Sequence, residues 1–156
     1  MATKLSNLNL EIKHFNHARA WIPGIEDLNQ HTINHLLENG MIQVSTAVEH
    51  AEANRLGTRV VSEDTHDLAN GCDVKCSSVR THNYGRCYGA PVTNIHGKTG
   101  DLIVGVYERL QDRYYRFRIP HKAYRHITKT SNIEIPFELD GSPRPSNKWW
   151  RFLIQE

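Results

Sequence analysis

Apolar and polar positions in this chain alternate with two different periods, and the switches between them outline its elements. Leu8, Leu10 and Ile12 recur every second residue, like a strand, within an N-terminal segment that also fits an arm. Residues 27–38 carry Ile33, Leu36 and Leu37 at helical spacing, ended by Asn39-Gly40. Residues 45–56 predict a second helix, with Ser45 as N-cap and Gly57 in the position that favours a left-handed residue. Val48, Ala51 and Leu56 form its inner stripe, with Arg55 at the margin. Residues 57–62 read as a β-branched strand, and residues 101–107 as a continuous apolar one. Residues 114–120 alternate and are closed by Pro120. Residues 81–100, with four glycines and one proline, read as a long loop. Lys148-Trp149-Trp150-Arg151-Phe152 predicts a C-terminal strand packed on the core, or a subunit contact.

Between these elements lies Asn70-Gly71, flanked by short extended runs, which predicts a tight hairpin with φ > 0 at both turn residues. Asp67 would then lie on one strand and Asp73 on the next. Alternation along the second strand puts Asp73, Lys75 and Ser77 on one face. Cys72, Val74 and Cys76 take the other, apolar face, which is the one expected in the core.

A chain of 156 residues fits a single domain, residues 1–156. It divides into an arm or helical segment at 1–40, a central region at 41–125 and a strand segment at 132–156. No run approaches the ~18 apolar residues of a membrane span, and Lys4, Glu11 and Lys13 interrupt any secretory pattern. The expectation is a soluble, cytoplasmic protein without a membrane partner. Three cysteines, an odd number, speak against a disulfide framework. The net charge is only +2, yet its distribution is uneven. Carboxylates concentrate between Glu49 and Asp73, while arginine and lysine dominate from Arg80 onward.

Converging carboxylates hold hard divalent cations through oxygen, and a neighbouring lysine can orient an attacking water. Asp67 followed by Asp73-Val74-Lys75 resembles the bipartite PD-(D/E)xK signature of restriction-endonuclease-like nucleases, with His66 where the proline of that pattern stands. The order helix, strand, hairpin and two further strands over about residues 41–125 is similar to the core of that superfamily. The resemblance implies an α/β (α+β) fold, with a central mixed sheet flanked by helices. It also implies a Mg²⁺-dependent DNA endonuclease of restriction or homing type, in which Mn²⁺ substitutes. Asp67 and Asp73 would hold the metal, joined by Glu49 from the helix, and Lys75 would act on the water. Asp64 competes with Asp67 for its role, and Glu52 with Glu49. His66 is a proton carrier or a plain strand-edge residue.

Cations around an acidic centre would neutralise backbone phosphates of double-stranded DNA. The candidates are Arg80, His82, Asn83, Arg86 and Lys98 in the long loop, with Arg144 and Lys148 near the C-terminus. Two sites are needed to cut two strands, which predicts a homodimer or higher homo-oligomer. A non-catalytic DNA-binding module on the same fold, or a repair or junction-resolving nuclease, is the alternative. Zinc at Cys72, Cys76, His82 and Cys87 matches no paired-cysteine spacing. His31, Asn34 and His35 lack the context of an HNH site.

Overall fold

A computed structural model describes residues 12–13, 42–61, 65–130 and 132–155. The elements are β1 (Ile12–Lys13), β2 (Ile42–Gln43), α1 (Val44–Arg55), β3 (Asp73–Ser78), β4 (Arg80–His82), β5 (Cys87–Val92), β6 (Leu102–Glu108), β7 (Arg113–Ile119), α2 (His121–Tyr124) and β8 (Ile133–Phe137). A 3-10 turn at Lys148–Phe152 follows. The fold is mixed α+β. Among the described residues no helix is long and apolar enough to cross a membrane.

β6 is the centre of the structure. All seven of its residues are buried, because β3 pairs with it in parallel on one side and β7 antiparallel on the other. A parallel pair needs a long crossover, and the crossover from β3 to β6 contains β4 and β5. Residues 81–100, expected as a loop, therefore hold a hairpin that joins β8 in a second, antiparallel sheet. Tyr88, Ala90 and Val92 alternate inward there. Pro91 is tolerated because β4 pairs only with residues 87–89, which leaves that flank of β5 without a ladder partner.

The core fills the space between the two sheets. Leu102, Val104, Val106, Phe117 and Ile119 meet Tyr88, Ala90, Val92, Ile133, Ile135 and Phe137 there. Trp150 sits among Tyr115, Phe117 and Phe137, edge to face at 5.4, 5.1 and 5.0 Å. Its indole N–H donates to the Pro136 carbonyl at 2.7 Å. The tryptophan pair packs on the core as expected, but on a 3-10 turn capped by Asn147 rather than on a strand. The mixed sheet thus carries α1 on one face and the second sheet on the other, in place of the helices expected on both.

α1 ends as the sequence indicates. Gly57 takes φ +64, Thr58 N–H donates to Ala53 O, and Gly57 N–H donates to Asn54 O. That is the paired bonding of a glycine-terminated helix. The helix begins at Val44, so Ser45 lies inside its first turn instead of capping it. The buried stripe also differs: Glu52 is 1 % exposed beside Val48, Ala51 and Ala53, while Leu56 is only half-buried. Arg116 of β7 accounts for this, donating from Nε and Nη2 to the two Glu52 oxygens at 2.5 and 2.6 Å. Glu52 is spent on that fork, which removes it as a substitute for Glu49.

Candidate active site

The site forms where the start of β3 meets the segments on either side of it. The Asn70-Gly71 turn is present, but only Gly71 of the pair has positive φ, at +94. Gly71 N–H closes the turn onto Leu68 O, and Asn70 Oδ1 accepts from Cys72 N–H. The result is a bulged turn, not the two-residue hairpin expected. Asp67 lies on no strand; the neighbouring Leu68 makes a single bridge to Val60, and of the strand expected over 57–62 the described residues 57–61 show that bridge alone. Asp67 is nevertheless fixed, because its Oδ2 accepts the Val74 N–H at 2.9 Å.

The apolar face of β3 is buried as expected, with Cys72 and Val74 3 and 6 % exposed, but the acid face is covered too. Parallel pairing sets Asp73, Lys75 and Ser77 beside Leu102, Val104 and Val106, on the face toward the second sheet. Val74 and Cys76 share the face of Ile103 and Gly105. The acid face thus belongs to the larger core, and Asp73 is 0 % exposed. A buried carboxylate demands compensation. Lys75 Nζ stands 3.1 Å from Asp73 Oδ2, and Lys98 Nζ stands 3.3 Å from Oδ1. Neither carboxylate oxygen has a hydrogen bond of good geometry, so the two ammoniums compensate by charge more than by directed bonding.

Glu49 lies on the α1 side of this group. Burial, followed by the charges of Asp67 and Asp73, pushes its carboxyl up to about 7, against a smaller opposing effect of Lys75. Burial likewise raises Asp67, with the nearby Asp73 adding to it and the Val74 N–H working the other way. Glu49, Asp67, Asp73 and Lys75 thus form one electrostatic group. Among the described residues no three acid, histidine or cysteine side chains already stand at metal-ligating separation. Asp64 lies outside the described residues.

The weakened acidity of Glu49 makes stability depend on pH. Glu49 holds its proton longer in the folded chain than in the unfolded one, so stability falls as pH rises from about 4.5 through about 7. Glu49→Gln removes this dependence. Its melting temperature is expected to match wild type at pH 4.5 and exceed it at pH 8; a variant less stable than wild type at pH 8 would contradict the arrangement.

Lys98, a DNA-contact candidate in the sequence, instead stands on Asp73. The cause is the parallel pairing: the residues before β6 lie beside those before β3. Ile95, 1 % exposed, anchors this loop in the core, and Tyr124 O–H donates to Gly100 O at 2.5 Å. A Cβ on Gly100 would lie 2.0 Å from Gly71 O. Backbone meets backbone there, so Gly100→Ala must displace the turn that carries Asp67. We expect a loss of roughly 1–3 kcal/mol, read by denaturant melts; an unchanged midpoint would mean the two loops are not in contact.

The remaining candidates lie elsewhere. Arg80, His82, Asn83 and Arg86 belong to the β4–β5 hairpin, beyond the far end of β3. His82 pairs with Glu134, and Arg144 with Glu138 at 3.4 Å. Lys148 stacks on Trp149, 5.0 Å from the ring centre. His66 meets Thr65 at 3.0 Å. No family model matches this chain, nor does any curated protein or solved structure.

Proposed function

We propose that this protein is a divalent-metal-dependent endonuclease that hydrolyses DNA phosphodiesters, on a core of restriction-endonuclease type. The observation that carries the reading is the meeting of Asp67, Asp73 and Lys75 at the start of β3, with Glu49 on the helix side. These residues suit Mg²⁺ or Mn²⁺. Their donors are hard carboxylate oxygens, and both Asp73 oxygens are buried without a well-formed hydrogen bond.

Asp67, Asp73 and Glu49 would hold the ion. When bound, it supplies polarisation of the phosphate and a more acidic water. The chain's own contributions are positional. The Val74 N–H holds Asp67. Asp73 holds Lys75, whose ammonium orients the attacking water and stabilises charge growing on the phosphate. The β4–β5 hairpin with Arg80, His82, Asn83 and Arg86, together with Arg144 and Lys148, supplies contacts to duplex DNA. A homodimer would present two such sites to the two strands.

Supercoiled plasmid and a complex phage DNA, incubated with Mg²⁺, Mn²⁺, Ca²⁺ or chelator, test this. Wild type is expected to cut with Mg²⁺ or Mn²⁺ and to stop when the metal is chelated. Lys75→Ala is expected to bind DNA without cutting it. Cleavage retained by that variant sinks the assignment. Metal-independent binding with no cleavage by wild type favours a non-catalytic DNA-binding module.

A further inference from the structure

Each oxygen of the Asp73 carboxylate has its own ammonium. Lys75 Nζ stands 3.1 Å from Oδ2, and Lys98 Nζ stands 3.3 Å from Oδ1. A carboxylate that is 0 % exposed needs such compensation to stay ionised in the folded chain. The two lysines reach it from different kinds of backbone. Lys75 lies two residues beyond Asp73 on the same face of β3, fixed by the ladder to β6. Lys98 comes from the loop before β6, far away in sequence.

That loop is held by its backbone. Ile95 is 1 % exposed in the core, and Lys98 N–H closes a turn onto Ile95 O at 3.3 Å. The Lys98 side chain is 16 % exposed. It also lines a cavity of about 300 Å³, together with Thr99, His121 and Tyr124. A flexible four-carbon stem beside open space lets an ammonium shift while its backbone stays in place. An ammonium and a doubly charged ion on one carboxylate repel each other strongly at such short range. Ion uptake at Asp73 therefore favours departure of the lysine that has room to leave.

We propose that Lys98 is a resident counter-ion of Asp73 that withdraws from Oδ1 when a divalent cation is taken up, while Lys75 stays. The proposal rests on the metal-dependent reading above and adds an internal competitor for the ion. Lys98 is a positioning residue in this scheme. It keeps the buried carboxylate charged and in place until the ion arrives, and removing it makes uptake easier. A purely structural lysine has the opposite sign, because a variant that disturbs Asp73 holds metal less tightly.

The test uses the whole chain without DNA. Mn²⁺ binding is measured by electron paramagnetic resonance of the free ion for wild type, Lys98→Met and Lys98→Arg. Lys98→Met is expected to bind Mn²⁺ about tenfold more tightly than wild type, and Lys98→Arg, which keeps the charge, to stay close to wild type. The melting temperature of Lys98→Met is expected to rise more on adding Mg²⁺ than that of wild type. In wild type, the Lys98 Cε–H NMR signals are expected to move toward those of a solvated lysine as Mg²⁺ is added. Equal or weaker Mn²⁺ binding by Lys98→Met, beside a wild type that binds, overturns the inference and leaves the metal centre standing. Lys98 signals unmoved by saturating Mg²⁺ overturn it in the same way, even where Lys98→Met fails to fold. Binding by Lys98→Met but not by wild type supports the competition and removes the metal-dependent reading of the natural chain. Binding by no variant removes both.

Discussion

Asp73→Asn is expected to lower DNA cleavage by at least about 10³-fold while leaving the fold intact. The amide would keep the shape of the side chain and lose the charge that gathers the site. Asp73 is the member of the group paired with both lysines. Removing one partner from a buried pair can cost about 3–5 kcal/mol, so the stability outcome has to be weighed. Two effects reduce it. The Lys75 and Lys98 side chains are 20 % and 16 % exposed and keep access to water. The charge of Asp73 also opposes ionisation of Glu49 and Asp67, and that opposition disappears in the variant. We therefore expect the melting temperature to move by only a few degrees at neutral pH. Cleavage near the wild-type rate in a folded Asp73→Asn protein would remove this residue from the mechanism.

Arg116→Ala is expected to produce the larger loss of stability, about 3–5 kcal/mol, or roughly 10 °C in melting temperature. The guanidinium forms two short parallel bonds to a carboxylate that is 1 % exposed. Without it, Glu52 must stay buried with Arg55 as its remaining ion-pair partner, at 3.5 Å, or take up a proton. The double variant Glu52→Gln, Arg116→Met should recover most of the loss, because the cost arises from the stranded charge and not from the missing attraction. Denaturant melts of the three proteins decide the point; a double variant as unstable as Arg116→Ala would show that packing, not charge, dominates. Comparison with Glu49→Gln also separates the two helix acids, since loss of the Glu52 partner lowers stability while loss of the Glu49 charge raises it at pH 8.

What is legible in the sequence follows the range of the interactions. The proximity of Asp67, Asp73 and Lys75 depends on a local turn, and the Asn70-Gly71 pair signals that turn even though its type differs. The ending of α1 at Gly57 and the burial of 102–107 are equally local, the first through glycine's positive φ and the second through an unbroken apolar run. The burial of the acid-bearing face of β3 is not legible, because that face looks too polar for a core. Two lysines make it tolerable, and Lys98 comes from a loop whose position depends on parallel pairing with β6. Glu52 is hidden for the same reason: its partner Arg116 is distant in sequence, and helical spacing alone makes a glutamate look solvated. The hairpin within 81–100 is masked by its glycines and Pro91, which the unpaired flank of β5 accommodates.

The crossover from β3 to β6 has a consequence for the order in which the chain acquires its properties. Hairpins close within ~1–10 μs, and β4–β5 needs only its own turn residues, 83–86, to do so. The parallel pairing of β3 with β6 must wait until that whole insertion has been drawn into a closed loop, an entropic cost that precedes any reward. Lys98 reaches Asp73 only after that closure. A chain in the course of folding therefore has its projecting basic hairpin early and its charge-compensated acid centre late. The surface proposed to meet nucleic acid matures before the centre proposed to cut it.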